Sequence, residues 1–148
     1  MEPKIRIRAA AIIVEGDKIL LVQHRKGGRT YWLLPGGGVR YGETAVSACE
    51  RELKEETSLD VKIGRLVLVS ESIPPDRHRH ILNLYFLGKI KGGTPILAEE
   101  DPVLSAVAFH NVEDLVKLDF YPPISKVLLT EIRGGFSNPL QYITNDWV

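Results

Sequence analysis

Three glutamates in one segment of the chain have the spacing expected of a metal-binding cluster. The segment runs from Gly37 to Leu59 and contains Glu52, Glu55 and Glu56. On a helix that turns 100° per residue, these side chains lie at about 0°, 300° and 40° and share one stripe about 100° wide. Such like charges repel by a few tenths of a kcal/mol per pair, whereas Mg²⁺ and Mn²⁺ prefer hard oxygen ligands of this kind. The spacing indicates a divalent-cation site, and a solvated acidic helix is the alternative.

Two neighbouring features support a site at this stripe. Arg51, at about 260° on the same helical projection, flanks the acids and can neutralise one of them. Gly36, Gly37 and Gly38 precede the helix, and residues without side chains let a backbone carbonyl or amide approach a metal or phosphate closely. A plain turn is the commoner role of such a glycine run.

The acidic stripe must be positioned by a helix, which we predict over Thr44 to Thr57. Its apolar residues Ala45, Val46, Cys49 and Leu53 recur at three- and four-residue spacing. They lie beside the acidic stripe, so the carboxylates are expected at the edge of a buried face. Cys49 lies on the apolar arc and is expected to be a small buried residue that takes no part in catalysis.

The rest of the chain indicates a layered domain of strands with a few helices. His24–Thr30 is expected to be a polar loop, followed by a short apolar segment from Tyr31 to Leu34. Strands interleaved with helices favour an α/β or α+β domain with a mixed sheet and helices on its faces. The predicted strands are Ile5–Val14 and Ile19–Gln23, paired as a hairpin, then Val61–Val69, His80–Ile90 and Leu104–Phe109, and the predicted later helices are Val112–Leu118 and Ile124–Arg133.

Composition bounds the kind of protein. The 148 residues, 44% hydrophobic and 26% charged, suit one folded domain over residues 1–148 and exclude disorder as the main state. A net charge of zero argues against nucleic acid as a partner, while a divalent cation could still attract an anionic small molecule. One cysteine excludes an internal disulfide. The apolar run Ala9–Val14 is too short for a signal peptide or membrane helix, so we expect a cytoplasmic protein without a membrane partner.

The segment from Gly37 to Leu59 resembles the signature of the Nudix hydrolases. That signature is Gly, five residues, Glu, seven residues, Arg-Glu, an aliphatic residue, any residue, Glu-Glu, any residue, Gly and a final aliphatic residue. It is filled here by Gly37, Glu43, Arg51, Glu52, Leu53, Glu55, Glu56 and Leu59. The one departure is Ser58, where the family has glycine, and we expect serine to strain or reroute the turn after the helix.

The resemblance implies a fold and an activity. The fold is an α/β (α+β) arrangement, a Nudix-type α/β/α sandwich around a mixed sheet, with the signature as a loop–helix–loop. The activity is metal-dependent hydrolysis of a pyrophosphate bond in a nucleoside diphosphate linked to another moiety. ADP-ribose, which we slightly favour on size, a nucleoside triphosphate, a dinucleoside polyphosphate and a nucleotide sugar all stay open. The alternative is a non-catalytic nucleotide-sensing module of the same fold, and a homodimer is one expected state.

The resemblance also assigns roles within the signature. It implies that Glu52, Glu55 and Glu56 bind Mg²⁺ (or Mn²⁺), together with the carbonyl of Gly37. Glu52 and Glu55 are also expected to be catalytic, with Glu55 helping to activate water. Arg51, paired with Glu43 as its structural support, is expected to hold the acids in place.

Residues outside the signature are weaker candidates. We predict Glu100, in the acidic run Glu99–Asp101, as a second general base, with a solvated loop as the alternative. Substrate binding is predicted for Gly36 and Gly38 and for Arg77 and Arg79, in a loop that could equally be an exposed basic segment. Tyr31, Trp32 and Phe120 could stack on a base, although packing in the core is the commoner role.

Overall fold

The computed structural model describes residues 2–96 and 103–145. Its strands are β1 (Ile5–Ile12), β2 (Val14–Glu15), β3 (Lys18–Lys26), β4 (Arg29–Leu33), β5 (Gly36–Gly38), β6 (Asp60–Ser72), β7 (His80–Gly92), β8 (Leu104–Asn111) and β9 (Gln141–Asn145). The helices are α1 (Ala45–Thr57) and α2 (Ser125–Arg133), with a 3₁₀ helix at Val112–Lys117. No helix within these described ranges is long and apolar enough to cross a membrane.

The strands form two sheets. Sheet A has the order β5-β1-β7-β6-β9, in which β1–β7 and β6–β9 are parallel and the other pairs antiparallel. The predicted mixed sheet is therefore confirmed. In sheet B, β3 pairs in antiparallel fashion with β2, β4 and β8, and this second sheet was not predicted. The predicted hairpin is confined to the pairing of Val14–Glu15 with Lys18–Ile19, because β1 leaves for sheet A.

The continuous apolar run of β1 is explained by cores on both faces of sheet A. Ala9, Ala11 and Ile13 pack in one core with Cys49 and Leu53 of α1. The alternate residues Ala10 and Ile12 pack in a second core, which includes Tyr85 of β7 and Leu128 of α2. Because successive side chains of a strand point to opposite faces, a strand covered on both sides reads as unbroken hydrophobic sequence. Helices on either face of sheet A give the predicted α/β/α layering.

The helix α1 has the bounds that the sequence predicted. It begins after Thr44, whose hydroxyl oxygen accepts a hydrogen bond from the Ser47 N–H at 3.1 Å. It ends at Ser58, which adopts the left-handed conformation (φ 66°) and donates its N–H to the Lys54 carbonyl at 3.0 Å. Serine therefore keeps the turn geometry that glycine commonly provides at this position. Cys49 is fully buried, and burial raises the pKa of its thiol to about 12, in keeping with a packing role.

Candidate active site

The acidic face of α1 lies against the glycine strand β5. Gly36, Gly37 and Gly38 pair with Ala10, Ala9 and Arg8 of β1, so the short strand forms the edge of sheet A beside the helix. A Cβ atom on Gly37 would lie 2.5 and 2.6 Å from the two carboxylate oxygens of Glu52. The carboxylate thus occupies the space that any side chain at position 37 would fill.

Glu56 is fixed to the same strand by a backbone contact. The Gly36 N–H donates to Glu56 Oε1 at 2.8 Å, and His24 Nε2 lies 4.0 Å from Glu56 Oε2. Glu52 and Glu56 therefore approach adjacent glycines from the helix, with their carboxylate oxygens and the backbone of β5 in one place. These are the hard donors that Mg²⁺ and Mn²⁺ prefer.

Arg51 connects the acids of the signature. Its Nε and Nη2 donate to both carboxylate oxygens of Glu43, at 2.8 and 2.9 Å. Its Nη1 donates to Glu52 at 2.8 Å and to Glu55 at 3.3 Å, and its Nη2 also reaches the Gly38 carbonyl at 3.2 Å. One guanidinium thus orients three carboxylates and β5, which is a geometry that the planar, five-donor group suits and an ammonium does not.

The electrostatics of these carboxylates differ with their surroundings. The two-bond contact from Arg51 holds the pKa of Glu43 at about 2. Burial raises the pKa of Glu52, a shift that the Arg51 hydrogen bond opposes and the nearby Glu56 charge reinforces. Because Glu52 and Glu56 are partly buried and repel each other, a positive charge placed beside them is favourable.

Only two of the three glutamates of the acidic stripe line the cavity. Glu52 and Glu56 line a cavity of about 360 Å³ together with the glycine strand, whereas Glu55 is directed to Arg51 and is absent from the cavity lining. Among the described residues, no group of three or more histidine, cysteine, aspartate or glutamate side chains stands at metal-holding distances. The residues fit a divalent cation through Glu52, Glu56 and backbone oxygen, and the metal-binding role of Glu55 stays a prediction.

The cavity opens between the two sheets. Sheet A contributes positions on β1, β5 and β7, and sheet B contributes positions on β3 and β4. Besides Glu52, Glu56 and the three glycines, its described lining consists of Arg6, Ile7, Arg8, His24, Lys26, Tyr31, Leu33, Arg79, Ile81 and Val103. A wall with five basic or imidazole side chains around two acids suits a metal-bound anion.

Some of the candidate residues outside the signature line the cavity and others do not. Arg79 lines the cavity, whereas Arg77 is absent from its lining. Arg77 lies in an exposed turn in which its N–H donates to the Pro74 carbonyl at 2.9 Å. Substrate binding by Arg77 therefore has no support from the cavity lining and stays a prediction, as it does for Arg79. Phe120 is buried in the core, while Tyr31 lines the cavity. Glu99, Glu100 and Asp101 lie outside the described residues.

Sequence reasoning missed most of the cavity wall. The sequence pattern places Arg6, Arg8, His24 and Lys26 in strands or loops and assigns no role to them. The signal for the first pair was present, since arginines alternate with Ile5 and Ile7 and so share one face of β1. The alternation does not indicate which residues of the second sheet lie opposite these arginines.

Comparison with known proteins identifies the family of this chain. The model of the NUDIX domain family matches residues 4–130. The chain therefore belongs to the Nudix family, and the predicted class of enzyme is confirmed at the level of the family. One domain over the whole of residues 1–148 stays a prediction.

The chain spans only part of the length of the curated relatives that it matches. The chain is 34% identical to an ADP-ribose pyrophosphatase of Methanocaldococcus jannaschii over 74% of this chain and 63% of that protein. It is 41% identical to the human 8-oxo-dGDP phosphatase NUDT18 over 44% of this chain and 20% of that protein. A solved NUDIX hydrolase from Nitrosomonas europaea superposes with a TM-score of 0.79 at 23% identity, covering 93% of this chain and 94% of that chain, and supports the fold.

Proposed function

We propose that the protein is a divalent-cation-dependent pyrophosphohydrolase that cleaves a nucleoside diphosphate linked to another moiety. The observation that carries the proposal is the convergence of Glu52 and Glu56 on the glycine strand at the floor of a cationic cavity. Among the substrates left open by the sequence, ADP-ribose is favoured because the archaeal relative bears that activity in its name.

The cation that we propose is Mg²⁺ or Mn²⁺, held by Glu52, Glu56 and the Gly37 carbonyl. When bound, it supplies positive charge to the pyrophosphate and lowers the pKa of a coordinated water. For ADP-ribose, addition of water across the phosphoanhydride gives AMP and ribose 5-phosphate. Among the described carboxylates of the signature, Glu52 and Glu56 line the cavity and would hold the cation, whereas Glu55 contacts Arg51.

The chain's own residues position the substrate. Gly36 and Gly38 present backbone without side chains, so phosphate oxygens can approach β5 closely. Arg79 is proposed to bind a phosphate from the cavity wall, while Arg51 keeps Glu52 in place from behind. We propose that nucleotide is the only small-molecule partner needed; the cytoplasmic location and a homodimer stay predictions.

The test compares Glu56→Gln with Glu50→Gln on the same helix. Glu50 is exposed and lies outside the cavity lining, so it controls for loss of one helix charge. We expect Mg²⁺-dependent formation of AMP from ADP-ribose by the wild type and by Glu50→Gln. In Glu56→Gln the rate should fall about 100- to 1,000-fold, since a bound cation contributes several kcal/mol to stabilising the transition state.

The alternative, a sensing module without turnover, predicts a different set of results. The wild type and Glu56→Gln would both bind nucleotide and would both fail to form AMP. A rise in melting temperature with millimolar Mg²⁺ that is reduced in Glu56→Gln supports the cation site independently of activity, because a ligand that binds only the folded state stabilises it.

A further inference from the structure

The inner face of sheet A carries buried polar side chains beside the cavity. Asn83 of β7 is paired in register with Arg8 of β1 on one side and with Ser70 of β6 on the other. Asn83 and Ser70 are fully buried. The Ser70 hydroxyl lies 3.0 Å from the Tyr85 hydroxyl and so has a partner. A polar row thus crosses three strands of a face that elsewhere packs as hydrophobic core.

Asn83 differs from its neighbours because its carboxamide is unsatisfied. Its side chain is 0% exposed, and within residues 2–96 and 103–145 neither Oδ1 nor Nδ2 has a hydrogen-bond partner. More than nine in ten buried polar groups in proteins have at least one partner, so a buried amide with neither atom paired requires an explanation. A group that is costly in the free protein is accounted for when a ligand provides its missing partners.

The position of Asn83 points to the cavity as the source of that ligand. Arg8, beside Asn83, and Ile81, two residues earlier on the same face of β7, both line the cavity. Tyr31 lines it from sheet B, with its ring held edge-to-face against His24 and Tyr121 at centroid distances of 5.7 and 5.3 Å. The cavity is thus lined by two neighbours of Asn83 on sheet A and by a fixed aromatic ring on sheet B.

Arg8 lies between these two walls. Burial raises the pKa of the Tyr31 hydroxyl on sheet B and of the Tyr85 hydroxyl on sheet A, and the charge of Arg8 opposes the shift at both. Its Nη2 donates to the Leu34 carbonyl at 2.6 Å. Both amide atoms of Asn83 expose less than 1 Å², so a ligand reaches them once a neighbouring side chain such as Arg8 moves aside.

We propose that Asn83 is a specificity-determining residue that binds the edge of an adenine ring inserted between the two sheets. A carboxamide offers one acceptor beside one donor, and adenine offers its amino group beside the N7 acceptor, which is the standard pairing of asparagine with this base. Tyr31 provides the aromatic face for the same ring. The inference rests on the proposed function, because it names the part of the substrate that is not cleaved.

The test removes one hydrogen bond at a time from enzyme and substrate. Asn83→Leu replaces the carboxamide with an apolar group of similar size, and Asn83→Ala serves as a second variant if leucine does not fold. Wild type and variants are assayed with ADP-ribose, with its analogue lacking the 6-amino group and with its 7-deaza analogue. Asn138→Ala is the matched control, since the Asn138 amide donates to Glu131 of α2 and lies outside the cavity lining.

We expect kcat/KM for ADP-ribose to fall about 10- to 100-fold in Asn83→Leu, mostly through KM, with the melting temperature unchanged or higher. The two analogues should lose a similar factor with the wild type and with Asn138→Ala, but should equal ADP-ribose with Asn83→Leu. A variant that retains the wild-type preference for ADP-ribose over both analogues overturns the inference, as does a marked loss of melting temperature in both variants.

Failure of this inference is distinguishable from failure of the proposed function. If the wild type forms no AMP from any nucleotide, the proposed function fails. The role of Asn83 can then still be decided from the Kd of AMP. It is measured calorimetrically, without added metal, for the wild type and for Asn83→Leu. An equal Kd for the two proteins overturns it, and a Kd about 10-fold weaker in Asn83→Leu supports it.

Discussion

Two adjacent glycines of β5 are required for different reasons, and alanine at each should separate folding from activity. At Gly37 the three atoms nearest to a Cβ atom would all belong to the carboxylate of Glu52, with its oxygens at 2.5 and 2.6 Å. At Gly36 it would meet backbone of the paired strand, including the Ala9 carbonyl oxygen and Ala10 Cα at 2.5 Å. A flexible side chain can move away, whereas a paired strand can move only by disturbing its ladder.

The size of each effect follows from these distances. An ordinary contact begins near 3.4 Å, so Gly37→Ala must displace the Glu52 carboxylate by about 1 Å. A misplacement of about 1 Å in a catalytic group can cost about 100-fold in rate. Gly36→Ala instead forces β1 and β5 apart, and overpacking of this kind costs about 1–3 kcal/mol. For a chain of this length that corresponds to a fall in melting temperature of roughly 3–10 °C.

The assay pairs thermal unfolding with kinetics under saturating Mg²⁺. Gly37→Ala should melt within about 2 °C of the wild type and lose about 100-fold in kcat/KM. Gly38→Ala controls for the loss of glycine itself, since a Cβ atom there would find only the Arg6 guanidinium at 3.8 Å, and its melting temperature should be unchanged. The reasoning is refuted if Gly37→Ala is fully active, or if it is destabilised as much as Gly36→Ala.

Three further predictions concern α1 and its ion pairs. Ser58→Gly should raise the unfolding free energy by roughly 0.5–1 kcal/mol in chemical denaturation, because serine is held at φ 66° and glycine is not strained there; an unchanged or lower value would contradict this. Thr44→Ala should cost about 1 kcal/mol in the same assay through loss of the cap on Ser47, and Thr44→Ser should restore it. The pKa of Glu43 is lowered to about 2, so its pairing with Arg51 stabilises the fold fully above pH 4.5 and loses this effect as pH falls towards 2. The melting-temperature difference between wild type and Glu43→Gln should therefore be constant from pH 7 to 5 and shrink below 4.5, and a constant difference down to pH 3 would contradict the assignment.

The parts of the structure that the sequence predicted well are those with local causes. The bounds of α1 follow from a threonine cap, a three- and four-residue apolar repeat and a turn-forming position, all within fifteen residues. The contact of Arg51 with Glu52 agrees with its predicted place beside the acidic stripe, while its contact with Glu43 is one that the family resemblance implied. Local periodicity and side-chain reach decide these features, so one sequence is enough to predict them.

The second sheet depends on contacts between residues distant in the chain, which local sequence patterns do not reveal. The apolar run from Ala9 to Val14 reads as one strand, but the chain changes sheets at Ile13, where β1 ends and β2 begins in sheet B. Gly27 and Gly28 suggested a loop from His24 to Thr30, although they form only the tight turn between two long strands. The final strand β9 has a polar, mixed sequence and is specified by its parallel pairing with β6. These elements are fixed by partners distant in the chain.

The change of sheet at Ile13 has a consequence for how the enzyme can diversify. The cleft lies between the two sheets, so Arg8 of sheet A and Tyr31 of sheet B line the same cavity, while Glu52 and Glu56 enter it from α1 beside β5. The groups proposed to hold the cation and those proposed to surround the rest of the substrate thus lie on different elements. Substitutions in β3, β4 and β7 can then alter which nucleotide binds without moving the carboxylates, so a change of substrate should appear mainly in KM. The Nudix signature therefore predicts the chemistry, and the inner faces of the two sheets must be examined to predict the substrate.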